Sequence, residues 1–531
     1  MGLVVDERGM GPVAYSYVTV QRDQLFLMPT SMRDWLEEGH LAWFILDVVA
    51  QMDTTALHEI HPNDGPGRPA YDPEMMCALM LYAYSNSLRS TRRIERSCHT
   101  DAAYRVISGG LVPDHATIAR FLVNQQDALE GLFVSGLRLC AAAGLVDLSV
   151  VALDGTKIGA DAALDQNHSA AWIRREVKAL LEATIASETA EAPEAPAPLP
   201  GIDAISDAST PRGRYARLQA ALAVIDAEDR AAAAKAQQNA EAALAEAEQG
   251  RKLPGRKPKD PAAAPARAQA DYAAALTRAH AKQAEREARI AAAKAEGKRH
   301  ADRTPGPDRA LARAQEALSA AQKAAAEQTA KAPRANVTDP DSRIMKTQKG
   351  WIQGYNAQAI VDKHQIVLAC EVTQNANDVE LYEPMITKLA GTLDAAGIID
   401  AVLQALADAG YWSEENATTP GPDRLIATLK DYKQRRAARE LGTTTAPPPE
   451  GASTLDAMEH RLRTPEGAAA YAQRSYTIEP VFGDRKTNRG WTHFRRRGLP
   501  AARSEWAFMH LTGNLAKLYK HQRAQLSTAT T

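Results

Sequence analysis

The segment Leu148–Gly155, LSVVALDG, restricts the fold of this chain more than any other. It is apolar on both alternating faces, rich in β-branched residues and too short for a buried helix. That is the pattern of a strand covered on both sides of a sheet. It stops at a carboxylate, Asp154. A second short apolar run, AVLQAL from Ala401, ends near another, Asp408, with AGYW after it. Between them, GYNAQAIVD (354–362) and QIVLACEVTQ (365–374) read as a hairpin turning at Asp362–His364. A helix through VELYEPMITKLA follows, with Asn377 or Asp378 suited to cap it. RLIATL (424–429) makes a further strand. Strand, hairpin, helix and strand in this order predict an α/β sheet core, in which sites form at the carboxyl ends of strands.

The two acids stand far apart because a different kind of sequence separates them. From about Ile173 to Lys331 the chain is dominated by Ala, Glu, Lys, Arg and Gln, as in RAAAAKAQQNAEAALAEAEQ. These are strong helix formers without a continuous bulky stripe. Pro/Gly-rich breaks near 190–201, 250–265 and 302–307 divide the stretch into two or three long helices inserted into the α/β domain. Its basic turn RKLPGRKPK (251–259) suits either a DNA backbone or plain solubility. Residues before the first strand read as helical. Asp72, Pro73 and Glu74 form an explicit helix start, and Asp114 caps HATIARFLV. The resulting organisation is an N-terminal helical, DNA-binding domain at 1–145 and a first core piece at 146–172. A helical insertion at 173–333, the rest of the core at 334–519 and a flexible tail at 520–531 complete it. A chain of 531 residues is too long for one ordinary core, which agrees with several domains.

Other classes are excluded by simple features. The four cysteines are scattered and form no CxxC pair, so neither a disulfide framework nor a cysteine zinc site is expected. No apolar stretch is long enough to span a bilayer, so no membrane partner is expected, and the first residues carry charges where a signal peptide would be apolar. A cytoplasmic, nucleoid-associated location follows as the expectation. The net charge of −2 conceals local basic segments. Residues 485–503 carry Arg485, Lys486, Arg489, Arg495, Arg496, Arg497 and Arg503 with no acid between them, and residues 89–96 carry Arg89, Arg92, Arg93 and Arg96. DNA binding needs a local positive surface and not a positive total. Arg92, Arg93 and Arg96, on short helices of helix-turn-helix character, and Arg495, Arg496 and Arg497 are the DNA-contact candidates.

A single strand-ending acid means little, since caps and loops account for most. Two at the ends of buried strands, with Glu479 in RSYTIEPVFGDRK as a third, point to a carboxylate site for hard divalent cations such as Mg2+ or Mn2+. Two such ions clamp the attacking and leaving oxygens of a phosphodiester, with water or a DNA 3′-hydroxyl as nucleophile. Lys486 follows Glu479 by two helical turns, which puts both on one side of a continuous helix. A break is expected between Arg474 and Glu479. Lys157 suits a phosphate contact or plain solvation, and Asn356 suits the site or the hairpin. Asp378 reads as a helix cap, His115 and His168 as isolated histidines able to meet DNA, and Trp412 as either a stacking or a packing residue.

Three blocks carry a family resemblance. They are VALDGTKIGADAA around Asp154, GYNAQAIVD with ALADAGYWSEEN around Asp408, and YAQRSYTIEPVFGDRK around Glu479. With the helical block GRPAYDPEMMCALMLYAYSNSLRSTRRIERSC before them, they resemble bacterial insertion-sequence transposases of the Asp-Asp-Glu class over roughly residues 67–165 and 334–519. The last block resembles the family's Tyr–Arg–Glu–Lys signature in Tyr471, Arg474, Glu479 and Lys486. Its Arg474–Glu479 spacing is one residue longer than the commonest form. The resemblance implies a ribonuclease-H-like mixed-sheet core interrupted by the insertion, with Asp154, Asp408 and Glu479 as catalytic, metal-holding acids. It also implies two Mg2+ ions that Mn2+ can replace, double-stranded DNA at element ends and at the target as partner, and self-association in a synaptic complex. Tyr471, Arg474, Lys486 and Lys157 are auxiliary. The competing readings are a non-cutting, transposase-derived DNA-binding repressor, a host ribonuclease-H-like nuclease and a structural coiled-coil protein.

Overall fold

The computed structural model describes residues 17–18, 20–22, 31–59, 69–188, 210–248, 264–295, 308–327, 333–429, 442–447 and 450–529. The chain divides into two compact units. One is formed by Met1–Gln166, Ala195–Ser206 and Thr338–Thr531, the other by Asn167–Glu194 and Asp207–Val337.

In the first unit, strands β1 (Tyr17–Val18) and β2 (Ala70–Tyr71) pair in parallel beside helices α1 (Leu41–Gln51), α2 (Thr55–His58), α3 (Pro73–Ser85), α4 (Thr91–Thr100), α5 (Ala102–Ile107), α6 (His115–Asn124) and α7 (Gln126–Ala142). Asp72 accepts from the Glu74 amide with Pro73 in the first turn, and Asp114 accepts from the Ala116 and Thr117 amides. Both predicted caps are therefore formed. Helix α3 is buried from Met75 to Tyr84, which is why its sequence shows no polar face. Its residues share one hydrophobic core with the sheet. Helix α7 ends at Ala142 and the first strand of the sheet begins at Val150.

The sheet follows from β3 (Val150–Gly159), β6 (Arg343–Thr347), β7 (Gly350–Asp362), β8 (Val367–Thr373), β9 (Gln404–Ala407) and β10 (Asp423–Ile426). Its order is β10-β9-β3-β7-β6, with β8 also on β7. β3, β9 and β10 run parallel, while β7 is antiparallel to β3, β6 and β8. The predicted hairpin is formed by β7 and β8. Helix α12 (Tyr382–Ala395) lies between β8 and β9, and α13 (Glu414–Thr418) precedes β10. Helices α14 (Thr454–Arg463), α15 (Pro465–Thr477), α16 (Glu479–Gly483) and α17 (Leu499–Ala529) complete the unit. Helix α17 lies against α7, where Gly136 gives room to Leu511. A Cβ there would stand 2.1 Å from Leu511 Cδ1.

Two expectations are corrected. The tail expected from residue 520 continues α17 to Ala529, because a helix already nucleated on the core extends at little cost into helix-forming sequence. Asp378 makes no side-chain capping bond; a 3-10 turn at Val379–Leu381 leads into α12 instead. All four cysteines are free and buried. Among the described residues no helix is long and apolar enough to cross a membrane.

The second unit contains the Ala-rich stretch. Its two ends meet as an antiparallel pair, β4 (Asn167–Ser169) with β5 (Arg334–Asn336). Between them the described residues form four helices where two or three were expected: α8 (Ala170–Glu188), α9 (Pro211–Glu248), α10 (Ala264–Ala295) and α11 (Arg309–Glu327). Ile173, Leu218, Ala221, Ile225 and Ala335 make its small core, and Ala270 and Ala274 are buried as contact residues. The basic turn at 251–259 lies outside the described residues.

Candidate active site

The sheet register removes the long sequence separation of the first two acids. Leu153 on β3 is paired with Ala407 on the parallel strand β9. The next residue in each segment is a carboxylate, so Asp154 and Asp408 stand at the same level on neighbouring segments spaced about 5 Å apart. Asp408 follows the end of β9, whereas β3 does not stop at Asp154 as expected but runs on to Gly159, because β7 keeps pairing with it. Their local fixation differs. Asp154 Oδ1 accepts from the Gly155 amide at 2.8 Å, whereas Asp408 turns the chain into a 3-10 turn and accepts from the Gly410 amide at 2.8 Å.

The third acid arrives on the helical segment after β10. Helix α15 ends at Thr477 and α16 begins at Glu479, with Pro480 in its first turn. The break expected between Arg474 and Glu479 is present, and proline explains it, since it lacks the amide needed to continue the α15 hydrogen bonds. Arg474 spans the break. One guanidinium nitrogen lies 2.7 Å from Asp154 Oδ2 and another 3.7 Å from Glu479 Oε1. One turn earlier on α15, the Tyr471 hydroxyl donates to the Ala407 carbonyl at 3.3 Å, directly before Asp408. Lys486 does not continue an α-helix from Glu479 as expected. Residues Asp484–Asn488 form a π-helical turn, and Lys486 Nζ donates to the Lys157 carbonyl on β3 at 3.2 Å.

Electrostatically this is a group of acids held by cations. Burial pushes the Asp154 carboxyl up to about 6; Asp408 and Asp378 act in the same direction, while Arg474 and the Gly155 amide oppose it. Burial alone would lower Arg474, but Asp154, Tyr471, Asp408 and Glu479 outweigh it and raise it above the ordinary guanidinium value. Burial lowers Lys486. Among the described residues, no three His, Cys, Asp or Glu side chains close on one point as a metal cage. The Arg474 guanidinium between Asp154 and Glu479, and Glu479 being 59% exposed, account for this. The donor set nevertheless fits a hard divalent cation. It is all carboxylate oxygen, and a buried acid crowded by two others is what such a cation would relieve.

Sequence reasoning missed the polar network behind the acids. Lys157 Nζ lies 3.2 Å from Asp378 Oδ1, which also accepts from Asn356 Nδ2 at 2.7 Å and Gln358 Nε2 at 3.0 Å. Gln358 is in turn bonded by the Tyr411 hydroxyl. Asp378 thus lies on the face of Gly155 and Lys157, opposite to that of the Asp154 side chain by strand alternation, and reaches the Asp408 end of the sheet through Gly410. The only signal for it was its position directly after the hairpin. Trp412 packs half-buried on the core, His168 stacks on Trp172 within the second unit, and His115 bonds Glu95 at 2.8 Å.

The DNA-contact candidates divide by partner. Arg92, Arg93 and Arg96 are exposed on α4 and make no ion pair among the described residues. The Arg495 side chain is exposed, and its backbone amide donates to the buried Glu505. Arg496 donates to the Leu122 carbonyl at 2.7 Å, and Arg497 pairs with Asp161 at 2.9 Å. Arg485 and Arg489 pair with Asp484, and Arg503 with Glu371. Much of the basic segment is therefore used internally.

Residues 30–124 match the family model of a transposase domain (DUF772), and residues 417–519 match that of a transposase DDE domain. Both matches support an insertion-sequence transposase. The first spans Arg92, Arg93 and Arg96. The second spans Tyr471, Arg474, Glu479, Lys486 and Arg495–Arg497, while Asp154 and Asp408 lie outside both. Transposase families act on DNA, and a DDE domain points to dependence on a divalent metal. No curated protein and no solved structure matches the chain.

Proposed function

We propose that this chain is a DNA transposase of the Asp-Asp-Glu class, with a ribonuclease-H-like core, that cleaves and joins strands at the ends of an insertion sequence. The observation that carries this reading is the Leu153–Ala407 pairing. It makes neighbours of Asp154 and Asp408, while Arg474 links Asp154 to Glu479. Asp154, Asp408 and Glu479 would hold divalent ions, Mg2+ or Mn2+, which when bound supply charge stabilisation for in-line displacement at phosphorus.

The chain's own residues do the rest. Burial raises the Asp154 carboxyl to about 6, and a bound cation would favour its ionised form. Arg474 neutralises it and braces Glu479, so the acids are held before DNA arrives. Lys157 and Lys486 bring ammonium groups to the same strand end, where phosphate oxygens need donors. The exposed Arg92, Arg93, Arg96 and Arg495, with Arg496 and Arg497 beside them, contact the DNA backbone. The chain self-associates to bring two ends together, in the cytoplasm on nucleoid DNA. The test is cleavage of an end-bearing duplex with and without magnesium. Asp154→Ala, Asp408→Ala and Glu479→Ala should each abolish cutting while retaining DNA binding. Near-native cutting by any one of them removes that residue from the triad.

A further inference from the structure

We infer that Asp378 is a positioning residue of the strand-cleavage site, acting through Lys157; this rests on the transposase reading above. The Oδ1 atom of Asp378 gathers three donors: the Lys157 ammonium at 3.2 Å, Asn356 Nδ2 at 2.7 Å and Gln358 Nε2 at 3.0 Å. The two amides stand on β7, opposite Lys157 and Gly155 of β3 in the sheet register. They clamp the carboxylate from below, and Asn356 and Gln358 are themselves bonded to each other at 3.0 Å. Tyr411, three residues after Asp408, holds the far oxygen of Gln358. β3, β7 and the turn after Asp408 therefore meet in this network.

Space has been kept for it. A Cβ on Gly155, the residue after Asp154, would stand 2.1 Å from Gln358 Nε2 and 3.0 Å from Asp378 Oδ1. A Cβ on Gly410 would stand 2.8 Å from Asp408 Oδ1 and 3.4 Å from Asp378 Oδ2. A side chain at Gly155 would collide with the network, whereas one at Gly410 would press on Asp408 and only touch Asp378.

The chemistry explains why Lys157 needs such a partner. Lys486 donates to the Lys157 carbonyl, so two ammonium groups crowd the end of β3. An unanchored lysine there would have no fixed direction. Asp378 gives it a fixed carboxylate. An ammonium has three N–H groups, and with one on Asp378 two remain for a phosphate oxygen of bound DNA.

The experiment is a double-mutant cycle on single-turnover cleavage of an end-bearing duplex by the full chain, with DNA affinity and thermal midpoint measured alongside. Asp378→Asn keeps the shape and removes the charge. It should slow cleavage by about 10- to 100-fold, the scale of a misplaced contact group, with affinity and midpoint nearly unchanged. Lys157→Met should show the same loss, and the double variant should lose no more than either single one. Wild-type rates in either single variant, or losses that multiply, overturn the role of Asp378 while leaving the transposase reading intact. If Asp378→Asn does not fold, Asn356→Ala and Gln358→Ala, which release the same carboxylate, are measured in its place, and wild-type rates in both overturn the role of Asp378. Asp154→Asn is the separate control. Absence of cleavage by the wild type, or full cleavage by Asp154→Asn, removes the transposase reading and this inference with it.

Discussion

Replacing Asp154 by Asn should make the protein more stable and inactive at once, and the two effects together distinguish a catalytic acid from a structural one. The folded protein holds the Asp154 carboxyl at about 6 against an ordinary value of 3.8, chiefly through burial. Each unit corresponds to about 1.4 kcal/mol, so carrying the charge at neutral pH costs the fold about 3 kcal/mol at most. The sign follows from linkage. A carboxyl raised in the folded state favours folding while protonated, and that contribution disappears as pH rises from the unfolded value through about 6. Asn removes the charge at all pH values. In metal-free buffer at pH 7, its melting midpoint should rise by roughly 3–5 °C, as expected for a few kcal/mol spread over a unit of this size. Around pH 4 the difference should shrink towards zero. The assay is thermal unfolding of wild type and variant in chelator across this range, beside cleavage with metal restored. A destabilised Asn variant at pH 7 would refute the reasoning, since it would mean that the Arg474 pair outweighs burial and that Asp154 serves the fold.

Gly131 and Gly136 lie on the same helix, α7, yet the same change should act with opposite signs. A Cβ at Gly131 meets nothing within 4 Å, so Gly131→Ala should stabilise by about 1 kcal/mol. At Gly136 it meets Leu511 Cδ1 at 2.1 Å, so overpacking by about 1–3 kcal/mol should offset or exceed that gain in chemical denaturation. His510 is fully buried, neither ring nitrogen has a hydrogen-bond partner among the described residues, and burial holds it well below the ordinary imidazole value. Its folded pKa is depressed, so stability is lost as pH falls below the unfolded value, at up to about 1.4 kcal/mol per pH unit. His510→Phe should flatten that slope and leave stability at pH 8 equal or higher; an unchanged acid slope would count against it. Charge reversal of Arg495, or of Arg92 with Arg93, should weaken binding to unrelated duplexes alike and reduce its salt dependence. Loss confined to one sequence would indicate base reading instead.

Several features of this protein were legible in the sequence because their causes lie within a few residues. Asp72 and Asp114 cap helices through amides two or three positions away, and Pro480 breaks the helix before Glu479. The double-sided apolar runs before Asp154 and Asp408 identify buried strands whatever their neighbours are. The Ala-rich stretch is helical by propensity. Tertiary structure alone decided that Leu153 pairs with Ala407, that Arg474 reaches both Asp154 and Glu479, and that Lys486 meets Lys157 across a π-helical turn. It also moved Asp378 from a helix cap to the Lys157 network, and turned Arg496 and Arg497 partly inward. The physical reason is range. Capping and periodicity are settled by bonds local in the chain, whereas strand register and the choice of partner for a long charged side chain depend on packing between segments hundreds of residues apart.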